Sequence, residues 1–184
     1  MLTSPQARTT YTPLWAPLLA AMLMVGVGAL AMVNVRQDLW VLNYRLFDLV
    51  PILANTAMAF VLAGLALALR SFKVSTPRAQ TVFAVLAVIV SSFVALLGLS
   101  TLLQFMFGVN IGIERLIPAL ATNEYKAYLE RMAPLPALGF TLAGLSLLLL
   151  DYRTARDHYP SEYGAFVLAG VMGIPLIGHL YNVM

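Results

Sequence analysis

Two copies of one apolar sequence word stand 80 positions apart in this chain. AFVLAGLALAL runs from Ala59 to Leu69 and GFTLAGLSLLL from Gly139 to Leu149, with seven of eleven positions identical. Each copy belongs to an apolar stretch long enough to cross a bilayer, for which about 20 residues are needed. Recurrence of the Phe-x-Leu-Ala-Gly-Leu order predicts that a helical hairpin has been duplicated within a membrane.

Composition points to the same environment. The 184 residues are 61% hydrophobic and only 10% charged, with a mean hydropathy of +0.86. A chain of this kind has more apolar surface than one water-soluble core could bury, which predicts an integral membrane protein. The absence of cysteine excludes disulfides, thiolate metal sites, iron-sulfur clusters and c-type haem attachment. The 11 Lys and Arg are too scattered for a nucleic-acid footprint.

The apolar runs predict an all-α protein that forms one transmembrane domain over residues 1–184. Two crossings separate the repeated words, so both copies should point the same way, which predicts a parallel duplication. This orientation disfavours the inverted-repeat pattern of many transporters. Five spans are expected, at 13–33, 49–69, 81–107, 134–150 and 164–182.

Basic residues predict the orientation of these spans. The N-terminal tail and the loops at 70–80 and 151–163 carry six Lys and Arg, whereas the loops on the other side carry five over longer segments. Positive charge is enriched in cytoplasmic loops. We therefore expect a bacterial inner-membrane protein with a cytoplasmic N-terminus and a periplasmic C-terminus.

The longer outer loops are predicted to form helices that lie flat at the membrane surface. Apolar residues recur there every three or four positions, at about 36–47 and 113–132. Tyrosine and tryptophan favour the headgroup region and are predicted to anchor these helices and the ends of the spans. The expected anchors are Trp15, Trp40, Tyr44, Tyr125 and Tyr128.

Small residues recur at helical spacing on three of the predicted spans. Such stripes let helix backbones approach closely where lipid provides no hydrophobic drive. They predict packing faces, either within the chain or against a partner. The residues are Ala59 and Ala63, Gly139 and Ala143, and Ala165, Ala169 and Gly173.

Two stretches resemble a known family. LSTLLQFMFGVNIGIERL at 99–116 and RMAPLPALGFTLAGLSLLLLD at 131–151 resemble the multi-span sensor region at the N-terminus of bacterial sensor histidine kinases and PAS or GGDEF signalling proteins. The resemblance covers about 49–184 and implies a membrane-embedded sensing module. The matching residues are Leu102, Leu103, Gln104, Phe107, Gly108, Asn110, Gly112 and Ile113, then Arg131, Met132, Ala133 and Pro134, with Asn55 and Thr56 carrying the family's Asn-Thr pair in the first copy.

Proteins of that family continue into a cytoplasmic output domain. No kinase, cyclase or PAS segment occurs in these 184 residues. We therefore expect the module to serve as a non-catalytic accessory subunit that packs against other membrane subunits and stabilises a larger complex, respiratory or photosynthetic assemblies being suitable hosts. The alternative is a sensing module that binds a lipid, quinone or other small apolar ligand and signals through a separate partner.

Four polar residues within the spans are candidate ligand contacts. His179 could ligate a haem iron or a chlorophyll-type magnesium, or hydrogen-bond a quinone. Asn55, Thr56 and Gln104 would be costly facing lipid, so each should face a helix or a cavity. Hydrogen bonding between helices is the simpler interpretation of all four. No resident cofactor is expected; bound lipid, quinone or a tetrapyrrole pigment stays open.

Catalysis is not expected. The sequence contains no phosphate-cradling glycine loop, no His-Glu-x-x-His motif and no nucleophile with a suitably spaced base. No metal site is expected either. Arg70 and Asp151 fall at predicted span ends, and charge is missing from the middle of the spans, which disfavours ion or proton pumping.

Overall fold

The structure is a computed structural model that describes residues 15–36, 54–72, 74–108, 132–154 and 158–181. Within these ranges it contains five α-helices and no strand. The helices are α1 (Trp15–Arg36), α2 (Ala54–Ser71), α3 (Pro77–Phe107), α4 (Pro134–Leu148) and α5 (Pro160–Leu180). The all-α prediction is confirmed. The predicted surface helices at 36–47 and 113–132 fall almost entirely outside the described residues.

Proline sets the beginning of three helices. Pro77, Pro134 and Pro160 are the first residues of α3, α4 and α5. Proline suits this position because its fixed φ fits a helix and its missing N–H would have no partner there. Helices α3 and α5 therefore start four residues before the predicted spans. Hydropathy alone misses these polar first turns, since a helix can begin before it enters the apolar region.

The helices run up and down in sequence order. The most extensive contacts join α1 to α2 and α3 to α4, which form two antiparallel hairpins. Helix α2 also contacts α3 and, less extensively, α4, while α5 packs against α4. One end of the bundle therefore collects the ends of α1, α3 and α5 with the starts of α2 and α4. We call it the Gln104 end and the opposite one the Arg70 end.

In the first hairpin two glycines bring the backbones together. A Cβ atom at Gly28 of α1 would lie 2.6 Å from the carbonyl oxygen of Ala57 on α2. At Gly64 of α2 it would lie 2.8 Å from the carbonyl oxygen of Ala21 on α1. Both distances are too short for a real side chain, so only glycine fits at these crossings.

The second hairpin is built in the same manner. A Cβ atom at Gly98 of α3 would lie 2.5 Å from the carbonyl oxygen of Ala137 on α4. At Gly144 of α4 it would lie 2.5 Å from the backbone nitrogen of Ala95 on α3. Ala57 and Ala137, like Gly64 and Gly144, are 80 positions apart. Glycines at matching places in the repeated words, Gly64 and Gly144, thus make a close contact in each hairpin.

The hydrophobic core lies where α2, α3 and α4 meet. Phe60 and Phe140, which also stand 80 positions apart, pack edge to face with ring centroids 5.0 Å apart and planes at 86°. This offset geometry is favourable for aromatic pairs. The buried members of the core are Ala59, Ala63, Val94, Met132, Ala137 and Phe140.

The outer surface suits a lipid environment. Three helices are long and apolar enough to cross a membrane, namely Trp15–Val33 within α1, Ala54–Ser71 and Pro77–Phe107. Helix α4 is apolar but has 15 residues, or about 22 Å at 1.5 Å per residue. Large apolar side chains on these helices face outward, as Leu23 and Leu96 do with 70% and 61% exposure. The chain is a helical membrane protein; the five-span count and the duplication stay predictions.

Candidate functional site

The four polar residues predicted as ligand contacts lie at one end of the bundle. Asn55 and Thr56 occupy the first turn of α2, and Gln104 lies in the last turn of α3. His179 belongs to the last turn of α5. Alternating helix directions bring these turns to the Gln104 end. The sequence alone predicted polar positions, and the topology collects them at one end of the helix bundle.

Gln104 is the most deeply buried of these residues whose side chains are described. It is 4% exposed, and its Oε1 has no hydrogen-bond partner among the described residues. Ser91, one of the hydroxyls of α3, is fully buried and likewise unpartnered there. The neighbouring Ser92 instead donates to the Val88 carbonyl at 2.8 Å. Ser91 and Gln104 are about 20 Å apart along α3, so they do not form one site.

The predicted packing residues divide into two groups. Ala59, Ala63 and Gly139 are buried, and Ala143 is half-buried. On α5, by contrast, Ala165 and Ala169 are exposed, and a Cβ atom at Gly173 would meet nothing within 4 Å. The α5 stripe is therefore largely open among the described residues, although Ala165 also lines a cavity against the other helices. Its predicted role in packing would need a partner.

A different face of α5 packs against α4. A Cβ atom at Gly139 of α4 would lie 2.6 Å from Met172 Cε and 3.7 Å from Leu168 Cδ1. Closer to the Arg70 end, Gly164 lies against the Ser146 hydroxyl, which donates to the Leu142 carbonyl at 2.8 Å. Sequence analysis missed this face. The i, i+4, i+8 spacing of Gly164, Leu168 and Met172 was a visible signal, although an apolar helix offers several such stripes.

A cavity lies between the two hairpins and α5. Its volume is about 310 Å³, and its walls come from α1, α2, α4 and α5. Most of the lining is apolar, and the polar side chains are those of Ser146, Ser161 and Glu162. These three lie toward the Arg70 end, whereas the polar residues predicted as ligand contacts lie at the other end. The predicted packing residues Ala63, Ala143 and Ala165 are instead among its lining residues.

Charged groups meet at the Arg70 end. Arg70 Nη1 in the last turn of α2 donates to Asp151 Oδ2 just after α4, so the two hairpins are joined here by an ion pair. The side chain of Arg70 is only 6% exposed and that of Asp151 is 73% exposed. Nearby in the chain, the Arg153 guanidinium lies 5.7 Å from the centre of the Tyr159 ring. Arg70 thus lies in the last turn of α2 and Asp151 three residues beyond α4, while their place at the ends of membrane spans stays a prediction.

Trp15, a predicted anchor, begins α1 and is 63% exposed. The other four, Trp40, Tyr44, Tyr125 and Tyr128, lie outside the described residues. Among the described residues, no three His, Cys, Asp or Glu side chains lie close enough to share a metal ion.

No protein-family model matches the chain, and no curated protein or solved structure matches it either. Function must therefore be argued from the residues themselves.

Proposed function

We propose that this protein is a non-catalytic membrane subunit that packs against a larger membrane complex and stabilises it. The supporting observation is the open small-residue face of α5, formed by Ala169, Gly170 and Gly173. Ala169 and Gly170 are exposed, and among the described residues a Cβ atom at Gly170 or Gly173 would meet nothing within 4 Å. A helix of another subunit could approach this face as closely as the helices within each hairpin approach one another.

The physical reason lies in what holds helices together in lipid. Apolar side chains gain little from meeting each other rather than acyl chains, so helix association depends on close van der Waals packing. Small residues permit such packing, and the van der Waals contacts that result are more favourable than contacts with mobile lipid chains. Phe166 and Ile174 lie one turn before and one turn after Gly170 on this face and are 76% and 65% exposed, so they could pack around an approaching helix.

Native mass measurement after gentle extraction in mild detergent tests this proposal. Ala169→Leu should remove the co-purifying subunit, because the larger side chain blocks close approach at the centre of the open face. Val167→Leu, at a 52% exposed site on the same helix, is the matched control and should leave the complex intact. Recovery of the wild-type protein solely as a monomer or self-dimer would refute the proposed role.

A second candidate function is a sensing module for a lipid, quinone or other apolar ligand, as the sequence resemblance implies. The cavity between the hairpins favours it, since an apolar interior with a few polar groups is typical of small-molecule sites. Ala143→Phe should fill the cavity and displace an apolar ligand, detected by solvent extraction and mass spectrometry of the purified protein. If Asn55→Leu or Gln104→Leu lost the ligand and Ala143→Phe kept it, the binding site would lie at the Gln104 end.

We further propose a parallel duplication with a cytoplasmic Arg70 end, in a bacterial inner membrane. Support comes from the matched contacts of Gly64 and Gly144 and from the Phe60–Phe140 pair. The lack of cysteine makes single-cysteine labelling clean. Ser75→Cys should be protected from an impermeant thiol reagent in intact cells, whereas Ala133→Cys should react. Equal labelling of both would disprove this topology.

A further inference from the structure

A concave surface, which we call the Arg70 groove, lies where α2 ends, α3 begins and α4 ends. Its volume is about 480 Å³. One part of its lining is polar, with Arg70, Thr81, Asp151 and Tyr152. Another part is apolar, with Val85, Val88 and Ile89 along α3. The groove is separate from the open face of α5 and has no part in the proposed docking of a subunit.

Arg70 brings unused hydrogen-bonding capacity to this groove. A guanidinium has five N–H donors in one plane. Here Nη1 is bonded to Asp151, while the buried Nε has no partner among the described residues. A side chain that is 94% buried cannot satisfy its donors freely with water, and a buried unpaired donor is unfavourable. A small rotation of the Arg70 side chain toward the groove would bring this donor to an acceptor bound there.

The start of α3 adds to the attraction for an anion. Its first turn contains no acidic residue, and the Thr76 side chain does not cap it. The first N–H groups of a helix are unpaired and carry partial positive charge. Thr81, which lines the groove, is four residues from Pro77, or about 6 Å along the axis. Arg70, with this helix start nearby, thus attracts a negatively charged group, which must compete with the Asp151 carboxylate in the same lining.

The apolar part of the groove decides which anion fits. Val85, Val88 and Ile89 are 52%, 42% and 58% exposed. They extend from the polar part toward the middle of α3, a span long and apolar enough to cross a membrane. A free phosphate would leave this surface uncovered, whereas a phospholipid would place its phosphate at Arg70 and an acyl chain along α3.

We propose that the Arg70 groove binds an anionic phospholipid, whose phosphate accepts hydrogen bonds from the Arg70 guanidinium. Basic pockets between membrane helices are suited to such headgroups. Asp151 sets the strength of binding, because its carboxylate competes with the phosphate for the same guanidinium. The Asp151 carboxylate is largely exposed to solvent, so replacing it with a phosphate as the acceptor for Arg70 exposes little buried surface.

Native mass spectrometry of the full chain in detergent, titrated with phosphatidylglycerol or phosphatidylcholine at about 0.5 M salt, tests the site. Screening over about 4 Å at that ionic strength suppresses non-specific attraction. Phosphatidylglycerol should bind preferentially to the wild type, and Arg70→Gln should weaken it about ten-fold, as expected for loss of a charge-assisted hydrogen bond. Arg78→Gln is the matched control, since Arg78 is exposed and near the same helix start but does not line the groove.

Two further variants separate a binding site from a merely structural ion pair. Arg70→Lys keeps a cation beside Asp151 but lacks the Nε donor, so lipid binding should weaken while thermal stability is retained. Asp151→Asn should tighten lipid binding, because the competing carboxylate is gone. Equal loss for Arg70→Gln and Arg78→Gln, no preference for phosphatidylglycerol, or full displacement by millimolar inorganic phosphate would each overturn the proposal.

Discussion

The hairpin interfaces and the open face of α5 use similar residues with opposite outcomes. In the hairpins a Cβ atom at Gly98 or Gly144 would lie 2.5 Å from backbone atoms of the neighbouring helix. On α5 a Cβ atom at Gly170 or Gly173 would meet nothing within 4 Å in the part of the chain that the structure describes. Small residues at helical spacing therefore show where a helix can be approached closely. They do not show whether the helix that approaches belongs to the same chain.

Enlarging a glycine should separate these two regions most strongly. Gly98→Leu should destabilise the purified protein by about 3 kcal/mol or more, because the side chain would overlap the α4 backbone and force the hairpin apart. Gly170→Leu should change stability by less than about 1 kcal/mol, since its side chain enters open space. Denaturant unfolding in detergent, followed by circular dichroism, measures both. Similar losses of stability for the two variants would show that the hairpin interface and the α5 face do not differ in this way.

Removing an aromatic ring should have the next largest effect. Phe140→Ala should cost about 2 kcal/mol or more, because it leaves a void beside Phe60 at the centre of the core. Phe166→Ala on α5, where the ring is 76% exposed, should cost less than about 0.5 kcal/mol. The same unfolding assay applies. A double-mutant cycle of Phe60→Ala and Phe140→Ala should give a coupling of about 1 kcal/mol.

Removing a buried hydroxyl should raise the stability of the protein, whereas the preceding substitutions lower it. Ser91→Ala should stabilise the protein by up to about 1 kcal/mol, because the Ser91 hydroxyl is fully buried and unpartnered among the described residues. Ser92→Ala is the neighbouring control and should give no such gain, since the Ser92 hydroxyl already donates to Val88. Destabilisation by Ser91→Ala would instead indicate a partner for this hydroxyl.

The ion pair between the hairpins should contribute least. Asp151→Asn should lower the free energy of unfolding by no more than about 1 kcal/mol, because the carboxylate is 73% exposed. Repeating the measurement at about 1 M salt should shrink the difference between variant and wild type. A larger, salt-independent loss would mean that charge rather than close packing holds the hairpins together.

Much of the fold could be predicted from single segments of the sequence. Apolar runs located all five helices, and the repeated words located Gly64 and Gly144, which make close contacts. Their partners Ala21 and Ala95 could not be predicted, because pairing depends on the relative rotation and register of two helices. The surface of α5 illustrates the same limit. Its sequence favoured the Ala165 stripe, yet the helix packs through Gly164, Leu168 and Met172.

The candidate site was less predictable than the fold. Polar residues stand out in an apolar sequence, which is why Gln104 and Asn55 were recognised. A cavity consists of what neighbouring helices leave unfilled, so the one lined by Ala63 and Ala143 had no signature of its own. The contact of Arg70 with Asp151 did have a sequence signal, since Arg70 directly follows the first repeated word and Asp151 follows the second after Leu150.

The sequence by itself determined that this chain consists of apolar helices suited to a membrane, with close-packing glycines in repeated words and charges at helix ends. Those properties follow from composition and local periodicity, which act within one segment. Only the tertiary structure decided which faces meet, where a cavity and a groove remain, and that α5 keeps a small-residue face open. These features depend on how helices distant in sequence are rotated and aligned against each other, and no single segment encodes that geometry.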